Sequence, residues 1–286
     1  MAVVVSLINM KGGVGKTTLA AQVSLAASAE HLRVLAVDVD PQANLSHSLM
    51  GARRYLEHLD NYRPTVVQAF EQYSPTGGGA APAAVSAPEL VVKQAGHSWG
   101  RDGLDLIPSR LELAQTLRNP QGKERALARV LAAVSADYDL VVVDCPPTES
   151  MLTEAAYFAS RFVVVPVKPE FLAAIGLPLL GRSIAEFTLR NADHRLDLAG
   201  VVFNNSSSYT AGPEAERSIR EVSQLAADNN WPVFDTRIRY SASYAKAARE
   251  SSFIAHTSYV RWEVTANFHR FFSEFLKSIG LVPTNA

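Results

Sequence analysis

Val3-Val4-Val5-Ser6-Leu7-Ile8-Asn9-Met10-Lys11-Gly12-Gly13-Val14-Gly15-Lys16-Thr17-Thr18 is the stretch whose reading decides the fold. A β-branched apolar run enters a glycine-rich turn, and Lys-Thr-Thr then opens an alanine- and leucine-rich segment, Leu19 to Ala27. That order predicts a strand, a tight loop and the N-terminus of a helix. Gly12, Gly13 and Gly15 let backbone N–H groups converge on an oxyanion, and the helix dipole adds partial positive charge at the same point. Lys16 supplies a point charge suited to β- and γ-phosphates, and the Thr17 hydroxyl is placed for Mg²⁺.

Composition bounds what can surround that loop. The chain has 286 residues, 48% of them hydrophobic, enough for a substantial core in one large α/β domain or two small ones. A net charge of −1 excludes a chain-wide basic field, so any nucleic-acid contact must be a local patch. One cysteine, Cys145, excludes a disulfide framework and suits a reducing compartment. The first apolar run lacks a basic flank and breaks at Asn9, which fits a core strand better than a signal peptide. No run is long enough to span a bilayer. The expectation is a soluble, cytoplasmic α/β protein.

Further strands follow, two of them ending in acids. Arg33 to Asp40 is a nearly unbroken apolar run closed by Asp38 and Asp40, and Pro41-Gln42-Ala43-Asn44 comes next. Tyr138 to Asp144 repeats the form, with Cys145-Pro146-Pro147 after it. Such runs suit a parallel sheet covered on both faces, and in open α/β sheets chemistry gathers at the carboxyl ends of the strands. Leu104–Ser109, Phe162–Val167 and Leu198–Asn205 read as strands, and Pro232–Phe234 as a short one. Helical spacing is expected over 123–136, from Phe171 toward Arg190 with Gly176 and Pro178 perturbing its start, over 214–229, and over 260–279. Periodicity weakens over 51–103, where Ser74 to Pro88 is an uncharged Gly/Pro/Ala/Ser stretch read as a surface loop.

Three motifs in order carry a family resemblance. The standard phosphate loop needs glycine where this chain has Met10, and a second lysine, Lys11, follows. Lys11-Gly12-Gly13-Val14-Gly15-Lys16-Thr17-Thr18 resembles the deviant Walker A motif of ParA/MinD-type ATPases. Asp38-Val39-Asp40-Pro41-Gln42-Ala43-Asn44 resembles their second signature, and the strand ending at Asp144 resembles their Walker B strand. The resemblance, strongest to the ParA (Soj-like) partitioning ATPases, implies a doubly wound P-loop domain over 1–286 that binds ATP with Mg²⁺ through residues 11–18. It implies a homodimer in which Lys11 acts on the partner's nucleotide, Asp40 orients the attacking water, and Thr17 and Asp144 attend the metal, with Asp40 near it. It also implies adenine contact at Asn204, nonspecific DNA binding near Arg237, Arg239, Lys246 and Arg249, stimulation by a ParB-like or cargo-adaptor protein, and residence on the nucleoid.

Alternatives stay open at this stage. The basic stretch Arg237 to Arg249 also reads as a solvated face. Phe268, Phe271, Phe272, Phe275, Leu276 and Ile279 form a stripe that is either core or, as in MinD-like regulators, a membrane-facing side. Asn204 also reads as a turn residue. Relatives built like dethiobiotin synthase or the nitrogenase iron protein share the loop, but the latter needs paired cluster cysteines and this chain has Cys145 alone.

Overall fold

A computed structural model describes residues 2–71, 85–96, 104–170, 173–206 and 212–281. The Ser74–Pro88 stretch falls largely outside them, as does Phe171. In chain order the elements are β1 (Val3–Leu7), α1 (Lys16–Ala29), β2 (Val34–Asp38), α2 (Asn44–Met50), α3 (Ala52–Asp60), α4 (Val66–Glu71), β3 (Leu104–Ile107) and α5 (Leu113–Thr116). Then come α6 (Ala126–Val134), β4 (Leu140–Asp144), α7 (Met151–Ala159), β5 (Phe162–Val167), α8 (Ala173–Arg190), β6 (Asp197–Phe203), α9 (Pro213–Asp228), α10 (Ala242–Arg249) and α11 (Trp262–Ser278).

The strands form a sheet in the order β3-β2-β4-β1-β5-β6, and every pairing between neighbours is parallel. β1 sits inside the sheet between β4 and β5, so the chain leaves it toward β2 on one side and later fills the other side with β5 and β6. Such a reversal opens a crevice at the carboxyl end of β1, which is where the glycine-rich turn lies.

Alternate side chains of each strand enter opposite layers. Leu35, Val37, Val141, Val143, Val163 and Val165 join the layer that includes α6 and α7. Val34, Ala36, Leu140, Val142 and Val164 join the layer that includes α1 and α11. Double-sided burial explains why these strands read as continuous apolar runs.

The aromatic stripe of α11 belongs to this second layer. Phe268, Phe271, Phe272 and Phe275 are buried, and Phe271 meets Phe234 edge-on at a ring separation of 5.3 Å. The stripe is core, so it is not available as a membrane-facing side in this fold. Among the described residues no helix is long and apolar enough to cross a membrane.

Several local expectations shift. Pro232–Phe234 makes a single parallel bridge, Val201↔Val233, instead of a strand. The 52–60 segment is a helix whose short apolar face, Ala52, Tyr55, Leu56 and Leu59, lies among charged residues and fully buries only Tyr55. Replacing Phe271, 1% exposed, with Ala is expected to cost about 3–5 kcal/mol, measured by urea unfolding.

Candidate nucleotide site

Two left-handed glycines shape the turn after β1: Gly13 has φ 74° and Gly15, which caps α1, has φ 90°. No side chain caps the α1 N-terminus, and no acid occupies its first turn, so its amides face the loop's concavity unopposed. Gly15 is doubly constrained. A Cβ there would lie 2.1 Å from Asn204 Nδ2, which itself donates to the Val14 carbonyl at 2.7 Å. Asn204, at the end of β6, therefore braces the loop from beneath, and its amide nitrogen is engaged there.

The two lysines are treated differently. Lys16 is 6% exposed and donates to the carbonyls of Asn9 (2.9 Å) and Lys11 (3.2 Å). Burial lowers its pKa, opposed by the nearby acids Asp144 and Asp40. Lys11 keeps its backbone N–H on Asn9 Oδ1 at 2.8 Å, while its ammonium reaches outward to Glu170 Oε2, also at 2.8 Å. Bonding to Lys11 and Lys168 holds the Glu170 carboxyl below its ordinary range.

Sheet register sets the acids side by side, with Leu7 and Asp38 both opposite Asp144. Asp38 is fully buried and accepts three donors: the Asp40 N–H (3.1 Å), the Ser46 N–H (2.8 Å) and the Ser46 hydroxyl (2.7 Å). It organises the turn from β2 into α2, and burial still pushes its carboxyl up to about 7. Asp40, 8% exposed, has its Oδ1 fixed by the Gln42 N–H at 2.9 Å. Asp144 is wholly buried, and neither carboxylate oxygen has a hydrogen-bond partner. Burial and the neighbouring Asp38 raise its pKa well above the usual range, while Thr17 and Lys16 pull it back.

That orphaned carboxylate is the observation by which a metal can be judged. Burying an unpaired carboxylate is unfavourable by several kcal/mol on the order-of-magnitude scale for such groups. Mg²⁺ commonly takes only one or two protein oxygens and completes its shell with water and phosphate. Among the described residues no cluster of three or more His, Cys, Asp or Glu side chains could hold a metal alone. A lone buried Asp144 beside the Thr17 hydroxyl fits a phosphate-bound Mg²⁺ and not a self-sufficient protein cage.

The basic stretch divides in two. Arg237 and Arg239 are exposed on an extended segment whose Ile238 pairs with the end of β6, and Asn267 of α11 grips that segment through the Arg237 carbonyl and the Arg239 N–H. Lys246 and Arg249 lie on α10, where Lys246 is engaged with the Ser258 carbonyl (3.0 Å) and the Tyr259 ring. Asn9, Glu170 and Asn267 carry site geometry that sequence reading missed. Each lies where strand or loop meets site, or on a helix face read for its aromatics.

Fold, loop and strand-end acids together define a P-loop nucleotide-binding protein. A family model described as an AAA domain matches residues 2–197. The chromosome partitioning protein ParA of Caulobacter vibrioides is 33% identical over 272 residues, spanning 86% of this chain and 92% of that one. The solved Cyanothece McdA(D38A)-ATP complex superposes with a TM-score of 0.78 at 18% identity, covering 98% and 97% of the two chains. The structure of cobyrinic acid a,c-diamide synthase from Mycobacterium smegmatis with a bound ATP analog and magnesium matches with a TM-score of 0.68 at 28% identity, covering 87% and 92%. The chain belongs to the ParA family of partitioning and positioning ATPases.

Gly15→Ala puts a Cβ against Asn204 and demands a left-handed alanine, unfavourable by roughly 1–2 kcal/mol. Nucleotide affinity, measured by calorimetry, is expected to fall at least about tenfold while the chain stays folded by circular dichroism.

Proposed function

We propose that the protein is an Mg²⁺-dependent ATPase that dimerises on ATP, binds DNA without sequence preference in that state, and releases it when a ParB-like or cargo-adaptor protein stimulates hydrolysis. The supporting observation is the convergence at the end of β1 and β4 of a buried Lys16, a partnerless Asp144 and a turn-held Asp40. On this reading the molecule works on the nucleoid in the cytoplasm and positions a plasmid, chromosome or other cargo.

Roles follow from chemistry. Lys16 and the amides from Gly12 to Thr18 hold phosphate oxygens, and Asn204, which braces the loop, takes the adenine contact that the family resemblance implies. Mg²⁺, held by Thr17 and through water by Asp144, would neutralise charge accumulating between the β- and γ-phosphates. Asp40, its rotamer set by Gln42, orients the attacking water. Lys11 adds positive charge to the partner's phosphates, as an arginine finger does.

A membrane-bound, MinD-like reading loses its anchor where the α11 stripe is core. The alternative of a metabolic synthase calls for no DNA at all. Co-sedimentation of the ATP-loaded protein with random-sequence DNA or with anionic liposomes separates the three. DNA binding with ATP but not ADP is expected, and its absence overturns the reading. Replacing Arg237 and Arg239 with Ala is expected to reduce the salt dependence of binding, log K against log salt, by about 2, roughly 0.9 for each phosphate no longer neutralised. Asp40→Ala is expected to keep ATP affinity and lose turnover by about a hundredfold, followed by phosphate release.

A further inference from the structure

We propose that Glu170 is a positioning residue that holds Lys11 on its own chain and sets how readily this lysine is released to a second copy. The inference rests on the trans-lysine reading above and names what restrains it. Lys11 has little backbone freedom. Its N–H is held by Asn9 Oδ1 (2.8 Å), its carbonyl accepts from Lys16 Nζ (3.2 Å), and Asn9 is itself anchored by donating to the Pro166 carbonyl (2.7 Å). Only the four-carbon side chain is left to move, and its end is tied to Glu170 at 2.8 Å.

Glu170 is as firmly based as its captive is movable. The Ser218 hydroxyl of α9 and the Ala173 N–H both donate to its carbonyl at 2.8 Å, and its own N–H donates to the Lys168 carbonyl. Its second carboxylate oxygen pairs with the Lys168 ammonium. When Lys11 leaves, the carboxylate therefore keeps a cation and is not stranded. The Lys11 and Glu170 side chains are 25% and 42% exposed, where an ion pair is weak enough to exchange. One ammonium cannot hold Glu170 and reach across to another chain's phosphates, so dimer formation has to open this pair in each copy.

The test is the dissociation constant of the dimer in Mg²⁺ and a non-hydrolysable ATP analogue, measured by sedimentation. Glu170→Gln keeps size and removes the charge, and it is expected to tighten the dimer about three- to tenfold, an exposed pair shifting each copy by up to about fivefold. Lys168→Gln leaves Glu170 to Lys11 alone and is expected to weaken the dimer, a change of opposite sign that a merely structural role does not produce. High salt should narrow both differences. An unchanged or weaker dimer in Glu170→Gln, with Lys11→Ala defective, overturns the latch but leaves the trans-lysine reading standing. A wild-type dimer in Lys11→Ala overturns that reading, and the latch with it.

Discussion

Everything at the working end of this molecule answers to one constraint, an acid wholly buried in the middle of a sheet with neither oxygen in a well-formed hydrogen bond. Asp144 closes β4, flanked by β1 and β2, and the parallel register leaves it no choice of neighbours. On one side lies Asp38, a second acid that would repel it. The turn into α2 meets that problem by aiming three donors at Asp38, so the like charge is bonded elsewhere. On the other side the buried Lys16 is near enough to favour the ionised form. On the proposed reading a cation completes this desolvated group, arriving with the nucleotide phosphates.

The loop above is built around an asymmetry between its lysines. Lys16 is sealed in, its ammonium on the loop carbonyls of Asn9 and Lys11, and is the lysine proposed to serve its own site. Lys11 has an equally fixed backbone but an ammonium at the surface. A fixed backbone and an ammonium held only by an exchangeable ion pair suit the proposed reach to another copy's site. Asn204 completes the frame from the far side, filling the space that glycine at position 15 leaves open.

Much of this was legible in the residues. Double-sided burial writes strands as apolar runs, so the parallel sheet and the strand ends at Asp38 and Asp144 stood out in the chain itself. Gly13 and Gly15, with Lys16 and Thr17 after them, marked the loop because glycine takes a left-handed turn without steric cost. What stayed hidden depends on long-range placement. α3 is a short, highly charged helix that buries little beyond Tyr55, and Val233 forms one bridge beside β6. Glu170 lies 159 residues from Lys11, in a loop without periodicity, so nothing local announces their pairing. The duty of Asp38 as a turn anchor is likewise set by Ser46, eight residues on.

The measurement that bears most directly on the central claim is calorimetric ATP binding to wild type and Asp144→Asn, each with Mg²⁺ and with EDTA. If the buried carboxylate is completed by a phosphate-borne cation, wild type loses at least about tenfold in affinity when Mg²⁺ is removed. The variant, which keeps Thr17 but lacks the carboxylate, should show a markedly smaller Mg²⁺ dependence than wild type. Full Mg²⁺ dependence retained in Asp144→Asn would contradict the account.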